Sequence, residues 1–119
     1  AEDPATVSAG RRREVKDIIA SEGLQFVGLH WLMVSPKGLH VTTPDPALRE
    51  KSWLHIRNLI DLCADLYTGA GPQGVMVFGS PKQRSTTDGL TREEATKHYV
   101  EGLAGVAQQA EERGVRLLI

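Results

Sequence analysis

Cysteine is nearly absent from this 119-residue chain: Cys63 stands alone, so no disulfide forms within it and its core must hold by packing. Aromatic residues are sparse at 5%, although 40% apolar content is enough for the core of one domain. An excess of either charge is also missing. Fourteen Lys and Arg face fifteen Asp and Glu, a formal net charge of -1, so no whole-molecule field draws the chain to nucleic acid or to an anionic membrane surface. No apolar run approaches the roughly 20 residues of a membrane span. The opening Ala1-Glu2-Asp3-Pro4 has none of the character of a signal peptide, and a reducing cytoplasm is the expected compartment.

What is present is a repeated unit. Apolar runs at residues 25–32, 75–79 and 116–119 read as buried strands, each separated from the next by one long amphipathic helix. The first helix is expected after Asp3-Pro4-Ala5-Thr6, with Thr6 or Ser8 as cap, Val15, Ile18 and Ile19 as its apolar stripe, and Gly23 at its end. Asp45-Pro46 opens the second, striped by Leu48, Ile56, Leu59, Cys63 and Leu66. Thr91-Arg92-Glu93-Glu94 is a capping box for the third, which buries Ala95, Tyr99, Leu103, Val106 and Ala110 and runs to about Arg113 before Gly114. Gly102 and Gly105 suit close approach of this helix to the sheet. Strands alternating with helices imply parallel pairing and an α/β fold.

In parallel α/β folds, ligands gather at the carboxyl ends of strands, so the loops there carry the functional reading. The stretch between Val34 and Thr43, with Ser35-Pro36-Lys37-Gly38-Leu39-His40, is longer than most strand-to-helix loops, and such loops often serve a site. Residues 79–89 leave the second strand through Gly79, which permits close backbone approach. Lys82 and Arg84 can meet an anion there, and Gln83 can both donate and accept toward hydroxyls; an exposed polar loop explains the same residues equally well. The glycines of residues 67–74 follow a helix rather than a strand, which is the reverse of a phosphate cradle, so they read as turn geometry. Arg11, Arg12 and Arg13 point to different sides of a helix and read as a solvated face. His55 and His98 lack partners at metal-ligand spacing and read as surface or structural histidines, and Cys63 as a small buried hydrophobe.

The stretches Asp3-Pro4-Ala5-Thr6, Gly28-Leu29-His30-Trp31-Leu32, Pro36-Lys37-Gly38-Leu39-His40, Phe78-Gly79-Ser80-Pro81-Lys82-Gln83-Arg84 and residues 113–119, in this order, resemble the sugar phosphate isomerase/epimerase family of xylose-isomerase-like TIM barrels, a superfamily that also holds apurinic endonucleases. The likeness covers almost the whole chain. It implies one partial TIM (β/α) barrel domain over residues 1–119, three parallel strands alternating with three helices, from the first helix to the fourth strand of an eight-unit barrel. It also implies a divalent metal, Mn2+ or Mg2+, whose first glutamate ligand is expected directly after Leu117-Leu118-Ile119. The 119 residues are therefore expected to bind no metal tightly, to supply no catalytic group and to be inactive alone.

What the resemblance assigns to this chain is one wall of a pocket for a sugar or sugar phosphate. His30 orients a carbonyl or hydroxyl, or serves only as a buried strand-end histidine; Trp31 offers an apolar face to a sugar ring; Lys82, Gln83 and Arg84 contact hydroxyls or phosphate. His40 ranks below His30. The implied reaction is isomerisation or epimerisation by proton transfer through an enediolate. Two alternatives stand beside it. A metal-dependent abasic-site endonuclease is opposed by Gly79-Ser80, where a second histidine is expected, and by the balanced charge. A non-catalytic fragment or assembly module would pair with another copy through its open sheet edges.

Overall fold

The computed structural model describes residues 3–71, 73–87 and 89–119. Ala1, Glu2, Pro72 of the 67–74 turn and Asp88 of the 79–89 loop lie outside the described residues. After a single 3-10 turn at Pro4–Thr6 come α1 (Ala9–Ser21), β1 (Gly28–His30), α2 (Pro46–Leu66), β2 (Gly74–Val77), a second 3-10 turn at Pro81–Arg84, α3 (Arg92–Glu112) and β3 (Val115–Leu118). The strands form one parallel sheet in the order β1-β2-β3. This is the α/β alternation expected, and it makes three repeats of a TIM barrel, whose closure takes eight. The sheet is open. The radius of gyration of the chain, 15.1 Å, exceeds the roughly 13.5 Å of a compact domain of this length.

Local chemistry sets the helix ends where the sequence puts them. Ser8 Oγ accepts from Arg11 N, Asp45 Oδ1 accepts from Ala47 N and Leu48 N with Pro46 in the first turn, and Thr91 and Glu94 complete a reciprocal capping box. Gly23 and Gly114, at φ 69° and 63°, turn the chain after α1 and α3. Ile56, Leu59, Ile60, Cys63 and Leu66 of α2 are buried, with Met76, Phe78 and Val115 from the sheet and Val106 and Ala110 from α3. Burial pushes the Cys63 thiol up to about 11, which leaves it protonated and inert at neutral pH.

Several expectations need correction. The first strand is three residues long rather than spanning 25–32: Leu24 and Val27 stay exposed, and Trp31, at φ 57°, turns the chain out of the extended region. Val15, Ile18 and Ile19 do not bury a stripe. No described residue of α1 is buried, and Ile18 is half exposed. The run ending at Ile119 is not buried either, because β3 lies at a sheet edge with one face uncovered; Leu118 is 43% and Ile119 72% exposed. His55 is buried, with Nε2 3.0 Å from Leu32 O.

Arg12 is no part of a solvated face. Its guanidinium donates to Val7 O, Pro4 O and Asp65 Oδ2 at 3.0, 2.8 and 2.7 Å, tying the opening turn to α2. Partial burial alone would raise the Asp65 carboxyl, but hydrogen bonds from Arg12 and Arg113 outweigh it and hold the group below its ordinary value.

Gly102 approaches α2, not the sheet. A methyl group there would sit 1.8 Å from Trp53 Cε2, inside the buried indole, whereas at Gly105 the nearest atom, Arg57 Nη2, is 3.8 Å away. The two glycines should therefore respond with opposite signs. Gly102→Ala forces the indole aside and is expected to cost about 1–3 kcal/mol, more than the helix gains from alanine. Gly105→Ala should stabilise by roughly 0.5–1 kcal/mol. Denaturant midpoints of the two variants check this, and a stabilised Gly102→Ala would refute the close packing of α3 on Trp53.

Candidate functional site

Alternation along the strands decides which side chains reach the open face. Register pairs Gly28 with Val75 and Val75 with Arg116, then His30 with Val77 and Val77 with Leu118. The intervening Leu29, Met76 and Leu117 face the helices, so His30, Val77 and Leu118 form the last row of the uncovered face, at the carboxyl ends of the strands.

His30 is thus at the mouth of the sheet, and it is exposed rather than buried. The next residue, Trp31, holds a left-handed conformation without being glycine. That outlier sets the indole edge-on to the imidazole, centroids 5.9 Å apart, while the indole stays 59% exposed. Such conformations cost on the order of 1–3 kcal/mol and concentrate at binding sites. Gly79, leaving β2 at φ 41°, completes the arrangement: a methyl group added to it would stand 3.2 Å from both His30 Nε2 and Trp31 Cδ1. A side chain there would press on both rings and strain the left-handed backbone, so glycine suits this strand end.

The two loops beyond the strand ends are latched to each other. Val41 N donates to Gln83 O at 2.8 Å, Thr42 Oγ1 to Ser85 O at 2.6 Å, and Met33 N to Ser80 Oγ at 3.1 Å. These bonds explain why the later part of the long 34–43 connection is internal, with Leu39, Val41, Thr42 and Thr43 buried. Neither Thr42 nor Ser80 stands out in the sequence, because each supplies a single hydroxyl to a partner more than 40 positions away.

The five substrate-wall candidates fall into three places. His30 and Trp31 sit together over Gly79. Lys82 and Gln83 instead line a cleft of about 340 Å³ between the two loops, joined there by His40, Thr43 and Thr87. Arg84 is half-buried, and its Nε has no hydrogen-bond partner. Its charge lies near the Tyr99 phenol of α3: burial pushes that phenol up, and Arg84 partly offsets the rise. Tyr99, expected as a core residue, also packs edge-on against Phe78, centroids 5.4 Å apart. His98, on α3 next to Tyr99, has Nδ1 4.0 Å from Glu101 Oε2 and no hydrogen bond at that nitrogen.

Among the described residues no group of three or more His, Cys, Asp or Glu side chains could hold a metal ion. They do not make up the divalent-metal site that the resemblance implies. Nor is any helix among them long and apolar enough to cross a membrane.

A family model described as xylose isomerase-like TIM barrel matches residues 1–119. The chain belongs to that family. No curated protein and no solved structure matches it. Within a xylose isomerase-like TIM barrel the carboxyl-terminal face carries the chemistry, and that is the face on which His30, Trp31, Gly79 and the latched loops lie.

Proposed function

We propose that the chain forms one wall of the substrate pocket of a sugar or sugar-phosphate isomerase or epimerase, which moves a proton between carbons beside a carbonyl. The observation that carries this reading is the pairing of His30 and Trp31 over Gly79 at the strand ends, held by a strained backbone. An exposed imidazole beside an exposed indole suits a polyol: the indole covers the apolar C–H face of the sugar, and the imidazole meets a hydroxyl or the carbonyl. Depending on tautomer, the imidazole donates to the carbonyl as negative charge grows on its oxygen, or accepts from the neighbouring hydroxyl. These residues bind and orient; the carbon acid's proton is taken and returned by groups outside this set.

The abasic-endonuclease alternative has less support. Gly79 fills the next strand end with backbone where that reading needs a second histidine, and the balanced charge offers no basic groove.

Incubation of a complete barrel containing these residues with aldose or ketose substrates, free and phosphorylated, in D2O with added Mn2+ tests the reading. Deuterium is expected at the carbon next to the carbonyl, seen by proton NMR as loss of that signal, as the enediolate is reprotonated from solvent. No exchange with any of these sugars, alongside cleavage of an abasic-site duplex, would overturn it in favour of the nuclease.

A further inference from the structure

The cleft between the latched loops stands apart from His30 and Trp31. Its walls are fixed by the Val41–Gln83 and Thr42–Ser85 bonds, which end on backbone carbonyls and do not use the side chains of Lys82 and Gln83. Among the described residues the Lys82 ammonium and the Gln83 carboxamide form no hydrogen bond or ion pair, although both line the cleft. Thr43, 4% exposed, presents a hydroxyl that accepts from Asp45 N at 3.3 Å and so keeps its own proton to donate. Thr87 adds a second hydroxyl, His40 an imidazole, and Leu39 an apolar floor. No carboxylate among the described residues lines the cleft; the nearby Asp45 is occupied in capping α2. The volume of about 340 Å³ falls within the range of small-molecule pockets.

A point cation, an amide and two hydroxyl donors converging on one cleft, with no opposing anion among the described residues, match a tetrahedral oxyanion, which offers acceptors in several directions at once. We propose that this inter-loop cleft binds a phosphomonoester group, with Lys82 supplying the charge and Gln83, Thr43 and Thr87 the directional hydrogen bonds. Assigning that phosphate to a sugar rests on the isomerase reading above; the phosphate site itself does not. On that reading the substrate is a phosphorylated sugar, its carbon chain reaching from the cleft across Gly79 toward His30.

Titration of the 15N-labelled full chain with inorganic phosphate tests the site. Saturable shifts are expected for amides of residues 38–43 and 82–87. Lys82→Met should weaken binding by about tenfold or more, and Gln83→Ala should weaken it less. Lys97→Met, a charge loss on the exposed surface of α3, should leave it unchanged. Equal weakening by Lys97→Met would reduce the effect to net charge and overturn the proposal. So would wild-type affinity in Lys82→Met, or the absence of saturable shifts. Solvent exchange into an unphosphorylated sugar without phosphate binding would sink the cleft and leave the isomerase; phosphate binding without exchange into any sugar would do the reverse.

Discussion

Phe78→Ala is expected to lose about 3–5 kcal/mol of stability, a large share of the roughly 5–15 kcal/mol that holds a domain of this size. Phe78 has no exposed surface, and its ring is the common neighbour of Trp53 from α2 and Tyr99 from α3, at 6.0 and 5.4 Å. With 5% aromatic residues, the chain places three of its few large rings at this one junction of sheet and helices. The cavity cannot readily collapse. Trp53 is confined from the other side by Gly102, and the Phe78 backbone is held by its amide bond to Leu118 O. Guanidinium unfolding of the full chain followed by circular dichroism measures the loss; a change below about 1 kcal/mol would mean that the helices close over the gap.

The second large effect concerns chemistry rather than folding. His30→Ala in a complete barrel containing these residues should lower turnover in the exchange assay by roughly 100-fold or more, since a positioned imidazole typically contributes 10²–10⁴. The same change should move stability by no more than about 0.5 kcal/mol, because the ring is exposed and lies edge-on to Trp31 beside Gly79. His98→Ala should show the smaller effect on turnover, its imidazole lying on α3 beside Glu101. Steady-state rates for the two variants decide the matter: equal losses would remove His30 from the substrate wall.

The helices were legible because their signals are local. A cap, a stripe at 3.6-residue spacing and a terminal glycine all lie within one element, and Asp45, Thr91 and Gly114 mark ends that the fold reproduces within a residue or two. Strand extent was less legible, because apolar runs do not say how much of them finds a partner. Leu24 to Val27 and Leu118 to Ile119 carry strand-forming residues, yet partner geometry leaves much of them exposed. The site was half legible. Strand-end position brought forward His30, Trp31 and the loop after β2, but neighbours in sequence scatter in space: Lys82 and Gln83 face the cleft while Arg84 lies near Tyr99. Arg12 was misread for a similar reason, since its main partner is 53 residues away.

The latch between the loops also governs where the chain tolerates change. Surface connections usually accept insertions freely, but here residues 39–43 are held at both backbone and side chain by the opposite loop and by Ser52, whose Oγ accepts from His40 N at 2.8 Å. The permissive stretch shrinks to the exposed tip around Ser35 and Lys37. A tag, a fluorophore or a circular-permutation junction belongs at that tip, whereas one residue added after Leu39 would throw Val41 and Thr42 out of step with Gln83 and Ser85 together.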